Sequence, residues 1–323
     1  MNLELLRHLV DLEKESPRKI EIEYVGDSEV ARLYMQRRQN ITDDRVLVEI
    51  YTGGGQKGVI QGGISTAKED LGLNQLADFK VGHSSGAAVI AYEQAGQSEL
   101  GSTIFFEENV SNRFIQVGRP HRVMDLIGLE RAFRLQKPLD VEALRNAKPV
   151  FYIGIGDRMA GRIDYFNLST RPDPVADVIS SCRVPVLSGI ESILRRQIDG
   201  GMGRPRSIQF VLGNLNPTDV LIVSPVLLTV SNREQRKPFV NALRRSLRSL
   251  PNNQLLTTLI DYPEICEEQT NEVLSLIQGK TGIRAALIGA KSVPFSGAHM
   301  GREQLRMAFQ NAREQTREIF LNI

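Results

Sequence analysis

The sequence predicts a single α/β domain with a mainly parallel central sheet flanked by helices, and helical extensions at both termini. Two observations predict it. Short runs rich in Val, Leu and Ile alternate with helical patterns through the middle of the chain, the mark of a parallel sheet covered on both faces. No Pro/Gly/Ser-rich linker, internal repeat or low-complexity tract divides the 323 residues, a length that suits one large core or two smaller ones. The expected division is an N-terminal helical extension over 1–42, the main domain over 43–298 and a C-terminal helix over 299–323.

The elements follow in order. Leu3, Leu6, Leu9, Val10 and Leu12 recur among charges at helical spacing over 1–16. Asp27 or Ser28 caps a second helix that runs to about Arg38. Residues 45–52 form a strand that ends in glycines, and a helix starts near Lys57 or Gly58. A short strand over 79–81 leads into a turn. The small apolar residues 85–94 suit a helix packed hard against the sheet. A further helix covers about 123–136, Pro138 stops it, and Asp140 caps a short helix over 141–146. Residues 149–155 and 161–166 read as strands across a Gly-containing turn. Residues 174–182 are helical, with Pro174 in the first turn. A buried strand over 219–223, a helix over 267–278, a strand over 285–288 and a long helix over 301–321 complete the chain.

Composition narrows the function classes. With 40 Lys and Arg against 38 Asp and Glu, the formal charge is +2, so no nucleic-acid partner is expected. Cys182 and Cys266 are the two cysteines. They lie far apart without metal-type spacing, so neither a disulfide framework nor a metal site is expected, and a reducing, cytoplasmic setting fits. Glu4, Arg7, Asp11, Glu13 and Lys14 interrupt any secretory apolar region. The longest apolar run, 220–230, is broken by Ser224 and Pro225 and falls short of a bilayer span. The protein reads as soluble, meeting a membrane only from its surface. The run Arg233, Arg236, Lys237, Arg244, Arg245 and Arg248 reads first as a solvated helical face and second as a transient contact for anionic headgroups.

Three short motifs carry the chemistry. Gly82-His83-Ser84-Ser85-Gly86 lies between a short strand and a small-residue helix. This is the setting of a nucleophile elbow, where bulky neighbours two residues from the serine would clash. The helix beginning at Ser85 turns its N-terminal amides and positive dipole end toward Ser84, which favours developing negative charge. Gly53-Gly54-Gly55-Gln56-Lys57-Gly58 directly follows a strand. As a dinucleotide fingerprint it lacks a second strand ending in an acidic residue, because Asp78 precedes Phe79 and Val81. As a Walker loop it fails at Gly58, which stands where Ser or Thr is needed. Its consecutive amides instead suit an oxyanion hole, with Lys57 adding positive charge.

Asp199-Gly200-Gly201 is the third motif. A carboxylate before glycines is common in plain turns. A serine nucleophile needs a base, however, and a carboxylate in a partly desolvated cleft holds its proton tightly enough to serve. Of four histidines, His8 reads as a surface residue, His83 as diverging from its serine neighbour, and His121 as a loop residue. His299 lies late in the chain, where an α/β-hydrolase would place a triad histidine.

The order of glycine loop, G-x-S-x-G and D-G-G resembles that of the patatin-like phospholipases. The resemblance covers roughly residues 45–225, with a C-terminal strand near Ala285. Ser180-Ser181-Cys182-Arg183-Val184-Pro185 is similar to the family's small-residue segment before the aspartate, although Arg183 is more polar than the pattern. Residues 150–166 are similar to its central hairpin. The resemblance implies a patatin-like three-layer fold and a Ser84–Asp199 dyad without histidine. It also implies an oxyanion loop at Gly53–Gly58, no cofactor, and cleavage of fatty-acyl esters through an acyl-enzyme. The substrate would be a phospholipid or another acyl-ester lipid. Two other readings stand beside it. One is an α/β-hydrolase-type esterase with a His299 triad, and the other is a non-catalytic lipid-binding or nucleotide-responsive protein. The oligomeric state is not legible in the sequence.

Overall fold

A computed structural model describes residues 20–108, 124–185, 187–189, 195–227, 262–293 and 301–323. The expected helix over 1–16, the basic run at 233–248, and His8, His121 and His299 lie outside them.

The described chain runs β1 (Ile22–Gly26), α1 (Ser28–Arg38), β2 (Leu47–Tyr51), a 3₁₀ turn (Gly55–Lys57), α2 (Gly58–Asp70), β3 (Phe79–Gly82), α3 (Ser84–Gln94) and α4 (Ser98–Thr103). A wide helical turn (Ile104–Glu108) follows. Then come α5 (Leu126–Arg131), a second wide turn (Ala132–Gln136), α6 (Val141–Asn146), β4 (Val150–Asp157), β5 (Arg162–Asn167) and α7 (Pro174–Ser181). The rest is β6 (Gln197–Asp199), α8 (Ser207–Asn214), β7 (Asp219–Val226), α9 (Tyr262–Ile277), β8 (Arg284–Ala290) and α10 (Arg302–Asn322).

The sheet order is β1-β8-β7-β2-β3-β4-β5, and β6 also pairs with β4. The four central pairings from β8 to β4 are parallel, whereas β1, β5 and β6 join antiparallel. The period of two explains why these runs look continuously apolar. Leu47, Tyr51, Leu221 and Val223 face one helical layer, and Val48, Ile50, Val220 and Ile222 face the other. The first layer holds α1, α2, α3, α5, α7 and α10; α8 and α9 form the second.

Most elements stand where the sequence puts them, including the Asp27 cap of α1 and the Asp140 cap of α6. Four do not. Residues 22–26, expected within a helical extension, form the edge strand β1, held by its antiparallel pairing with β8. The helix expected from 123 starts at Leu126, because Asp125 accepts from Gly128 N–H at 3.1 Å and caps it there. The segment α4 was not expected, since its Ser, Thr and Gly residues have low helix propensity. Nor was α8, which follows Arg204-Pro205-Arg206 without a Ser, Thr, Asp or Asn cap.

Between the sheet and α2/α3 lies a fully buried ionic cluster. Lys68 Nζ meets Glu49 Oε1 at 2.6 Å and Glu93 Oε1 at 2.8 Å, and Lys80 Nζ meets Glu93 Oε1 at 2.8 Å and Glu49 Oε2 at 3.7 Å. The Tyr34 hydroxyl donates to Glu49, and that of Tyr51 donates to Glu93 Oε2 at 2.6 Å. Two cations and two carboxylates cancel, which makes their burial tolerable. Burial alone would raise the Glu93 pKa, but Lys68 and Lys80 outweigh it and hold the group down at about 2.

Candidate active site

Strand register assembles the site. Tyr51, at the end of β2, pairs with Gly82 at the end of β3, and Gly82 pairs with Ile153 of β4. The glycine loop and the serine turn therefore leave adjacent carboxyl ends of the sheet, where open α/β sheets form their ligand crevices. Two residues further along β4, Ile155 pairs with Asp199 of β6. Three motifs far apart in sequence thus reach one corner.

Ser84 has φ +53°, in the left-handed region. A non-glycine residue there is strained, and such strain clusters at functional turns. Two contacts hold it. Ser84 N–H donates to Ser181 Oγ at 2.9 Å, and Ser181 Oγ donates to the Gly154 carbonyl at 2.7 Å. Gly86 is required by close approach, because a Cβ there would stand 2.6 Å from the Tyr51 carbonyl oxygen.

Asp199 is buried on the adjoining strand. Its N–H donates to the Arg183 carbonyl at 2.8 Å, and Gly200 N–H donates to the Ser181 carbonyl at 3.3 Å. The segment 180–185 therefore anchors both the serine and the aspartate. Gly200 leaves no room for a side chain, since a Cβ would come within 2.1 Å of the Gly154 carbonyl oxygen. Asp199 Oδ1 accepts from Gly201 N–H at 2.7 Å. The Ser84 hydroxyl is near enough to act on the carboxylate, yet Oδ2 meets no partner at hydrogen-bond geometry. Catalytic contacts are often this loose before substrate binds. Burial pushes the Asp199 pKa up to about 6, against smaller lowering effects from Ser84, the Gly201 amide and Arg206.

His83 turns away from the serine and into the glycine loop. Its Nε2 accepts from Gly53 N–H at 3.2 Å, and its Nδ1 lies 3.2 Å from Ser207 Oγ. Because the Gly53 amide is a donor, the tautomer carries its proton on Nδ1 and donates to Ser207. Burial, with Arg206 adding to it, pulls the His83 pKa down to about 3, so the ring is neutral at working pH. The motif reading missed this clamp, because Gly53 and His83 are 30 residues apart.

The expected run of oxyanion donors narrows accordingly. The Gly53 amide belongs to His83, and the Lys57 amide donates to the Gly54 carbonyl at 3.2 Å. The Gly58 amide closes onto Gly55 and Gln56. Gly54 and Gly55 keep amides without a partner among the described residues, and Gly55 has φ +59°.

Ser84, Ser85, Gly55 and Gln56 form the polar end of a cavity with about 540 Å³ of empty space, including its open side. Its other walls are apolar, with Val89, Ile104, Phe105, Leu129 and Phe133 among them. The wide turn after α4 delivers Ile104 and Phe105. Near Asp199, Arg206 is buried with Nη1 3.1 Å from Gln269 Oε1. Its Nε and Nη2 have no hydrogen-bond partner among the described residues. Among the described residues, no group of three or more His, Cys, Asp or Glu could hold a metal ion, and no helix is long and apolar enough to cross a membrane.

No family model matches the chain, and no curated protein does. Solved structures give distant likenesses. VipD from Legionella pneumophila is 11% identical with a TM-score of 0.46, over 98% of this chain and 73% of that one. Human GIVD cytosolic phospholipase A2, in complex with a methyl γ-linolenyl fluorophosphonate inhibitor, is 11% identical with a TM-score of 0.42. The match spans 100% of this chain but only 63% of that protein, less than two thirds of its length. Neither bears on the residues of the site, whose reading rests on the geometry above.

Proposed function

We propose that this protein is a lipid acyl hydrolase of phospholipase A or lysophospholipase type, acting through a Ser84–Asp199 dyad. One observation carries the reading. A serine at φ +53° stands beside a buried carboxylate with a pKa of about 6, on the polar end of an apolar cavity.

Above pH 6 Asp199 is ionised, and Oδ2 is its free acceptor. It takes the Ser84 proton as Oγ attacks the ester carbonyl carbon. The carbonyl electron pair moves onto oxygen, where the Gly54 and Gly55 amides hold it. The bond to the leaving alcohol then breaks, and Asp199 returns the proton to that alcohol. Water, activated by the same carboxylate, attacks the acyl-enzyme and releases the fatty acid. His83 takes no proton in this cycle; it keeps the glycine loop against the elbow. The scheme is that of the patatin-like phospholipases, which the motif order resembles.

The apolar walls suit a fatty-acyl chain, so a phospholipid or another acyl-ester lipid is the proposed substrate. The enzyme would meet it by transient contact with a bilayer from the cytoplasmic side.

The test is hydrolysis of short-chain chromogenic esters and a phospholipid panel by wild type, Ser84→Ala and Asp199→Asn. Both variants should lose about 10³-fold or more in kcat/KM. Retained activity in Asp199→Asn would remove the dyad and move the search for a base to His299.

A further inference from the structure

We propose that the Ser85 hydroxyl is a third donor to the acyl oxygen, a side-chain member of the oxyanion hole beside the Gly54 and Gly55 amides. The inference rests on the acyl-hydrolase reading and assigns a catalytic role to a residue which that scheme leaves idle.

Ser85 is 6% exposed, and its Oγ has no hydrogen-bond partner among the described residues. Other buried hydroxyls in the same helical layer are satisfied locally. Thr66 donates to the Gly62 carbonyl at 2.8 Å and Ser102 to the Ser98 carbonyl at 2.7 Å, each one turn back along its own helix. Ser85 has no such outlet. It is the second residue of α3, and the residue four positions back is Val81, inside β3. A buried hydroxyl left unmade is disfavoured unless something else supplies the partner.

The surroundings indicate what that partner is. Ser85 lines the cavity next to Ser84, Gly55 and Gln56. Its Oγ faces the start of α2, since a Cβ on Gly58 would come within 3.0 Å of it. The hydroxyl therefore sits where the N-termini of α2 and α3 converge. Both helices turn the positive ends of their dipoles there, a setting that favours negative charge. The negative charge formed next to Ser84 during acyl transfer is the carbonyl oxygen. Ser85 donates a hydrogen bond to it and transfers no proton, so the balance of the reaction is unchanged.

The experiment compares steady-state hydrolysis of a short-chain ester and its thionoester by wild type and Ser85→Ala. Sulfur accepts hydrogen bonds poorly, so it discounts any oxyanion donor. Removing the donor should lower kcat on the ester by about 100-fold and leave KM nearly unchanged. The ester-to-thionoester ratio of kcat should narrow in the variant, which a purely structural role would not produce. Thermal unfolding checks the fold, and should Ser85→Ala melt early, Ser85→Cys is read in its place. A variant whose kcat and ester-to-thionoester ratio match wild type overturns the assignment. A wild type that turns over no ester sinks the hydrolase reading itself, and this inference with it.

Discussion

Glu93 and Asp199 are both buried carboxylates, and they are pushed in opposite directions. Glu93 is held at about 2 and Asp199 is raised to about 6. Burial raises both, so the neighbours decide the outcome. Glu93 touches two lysines and a tyrosine hydroxyl, and both its oxygens are taken. Among the described residues Asp199 forms no ion pair, and its Oδ2 accepts no hydrogen bond. The comparison separates two uses of buried polarity. A saturated cluster locks the elements together, whereas a group left short of partners is held ready for a ligand or a proton.

The largest expected effect comes from breaking the saturated cluster. Lys68→Met would leave Glu49 and Glu93 buried with too little positive charge. It should destabilise the fold by about 3–5 kcal/mol in denaturant titration. A loss under about 1 kcal/mol would mean that water reaches the cluster, since exposed pairs are worth that little.

The active corner should respond with the opposite sign. Raising the Asp199 pKa from 3.8 to about 6 means the folded state holds that proton more tightly than the unfolded chain. Stability is therefore lost as pH rises from 3.8 through 6, by up to about 3 kcal/mol. Asp199→Asn should be more stable than wild type at pH 8 and equal to it at pH 3.5, as read by unfolding midpoints. Equal stability at pH 8 would show that the carboxylate is solvated.

His83 offers a smaller break. His83→Phe removes the acceptor for the Gly53 amide and should reduce kcat by about tenfold through a loosened loop, as misplaced donors do. His83→Gln, which keeps an acceptor, should recover part of it. The mildest test needs no mutation. The acid limb of kcat/KM should fall with an apparent pKa near 6, the value given by the Asp199 environment, because a protonated base cannot accept from Ser84. A limb near 4 would assign the base to an exposed carboxylate.

Much of this corner was legible because three motifs each carry their own local geometry. A serine between glycines, a run of glycines after a strand, and a carboxylate before glycines all stand out within six residues. What escaped was pairing across the chain. Ser181 grips an amide 97 residues away, and His83 grips one 30 residues away. Neither distance leaves a periodic trace. The cluster at Glu49, Lys68, Lys80 and Glu93 was missed for the same reason. Taken singly, each reads as an ordinary surface charge, and only the fold shows that they cancel. Strand β6, only three residues long, was too short to register, although it carries Asp199.

The two ends of the described chain also hold each other. Ile22 N–H donates to Gln315 Oε1 at 2.9 Å, and Gln315 Nε2 returns a bond to the Ile20 carbonyl at 2.8 Å. Helix α10 lies so close on α2 that a Cβ on Gly63 would stand 2.5 Å from the Phe309 carbonyl oxygen. Since α2 carries the glycine loop, translation delivers the chemistry before it delivers its backing. A ribosome that has made Asp199 has not yet made the segment that steadies that loop. Folding of the corner should therefore wait until α10 has been made, as slow closure of distant contacts requires. Limited proteolysis of chains stalled before Arg302 would read that order, and a protease-resistant glycine loop in such chains would contradict it.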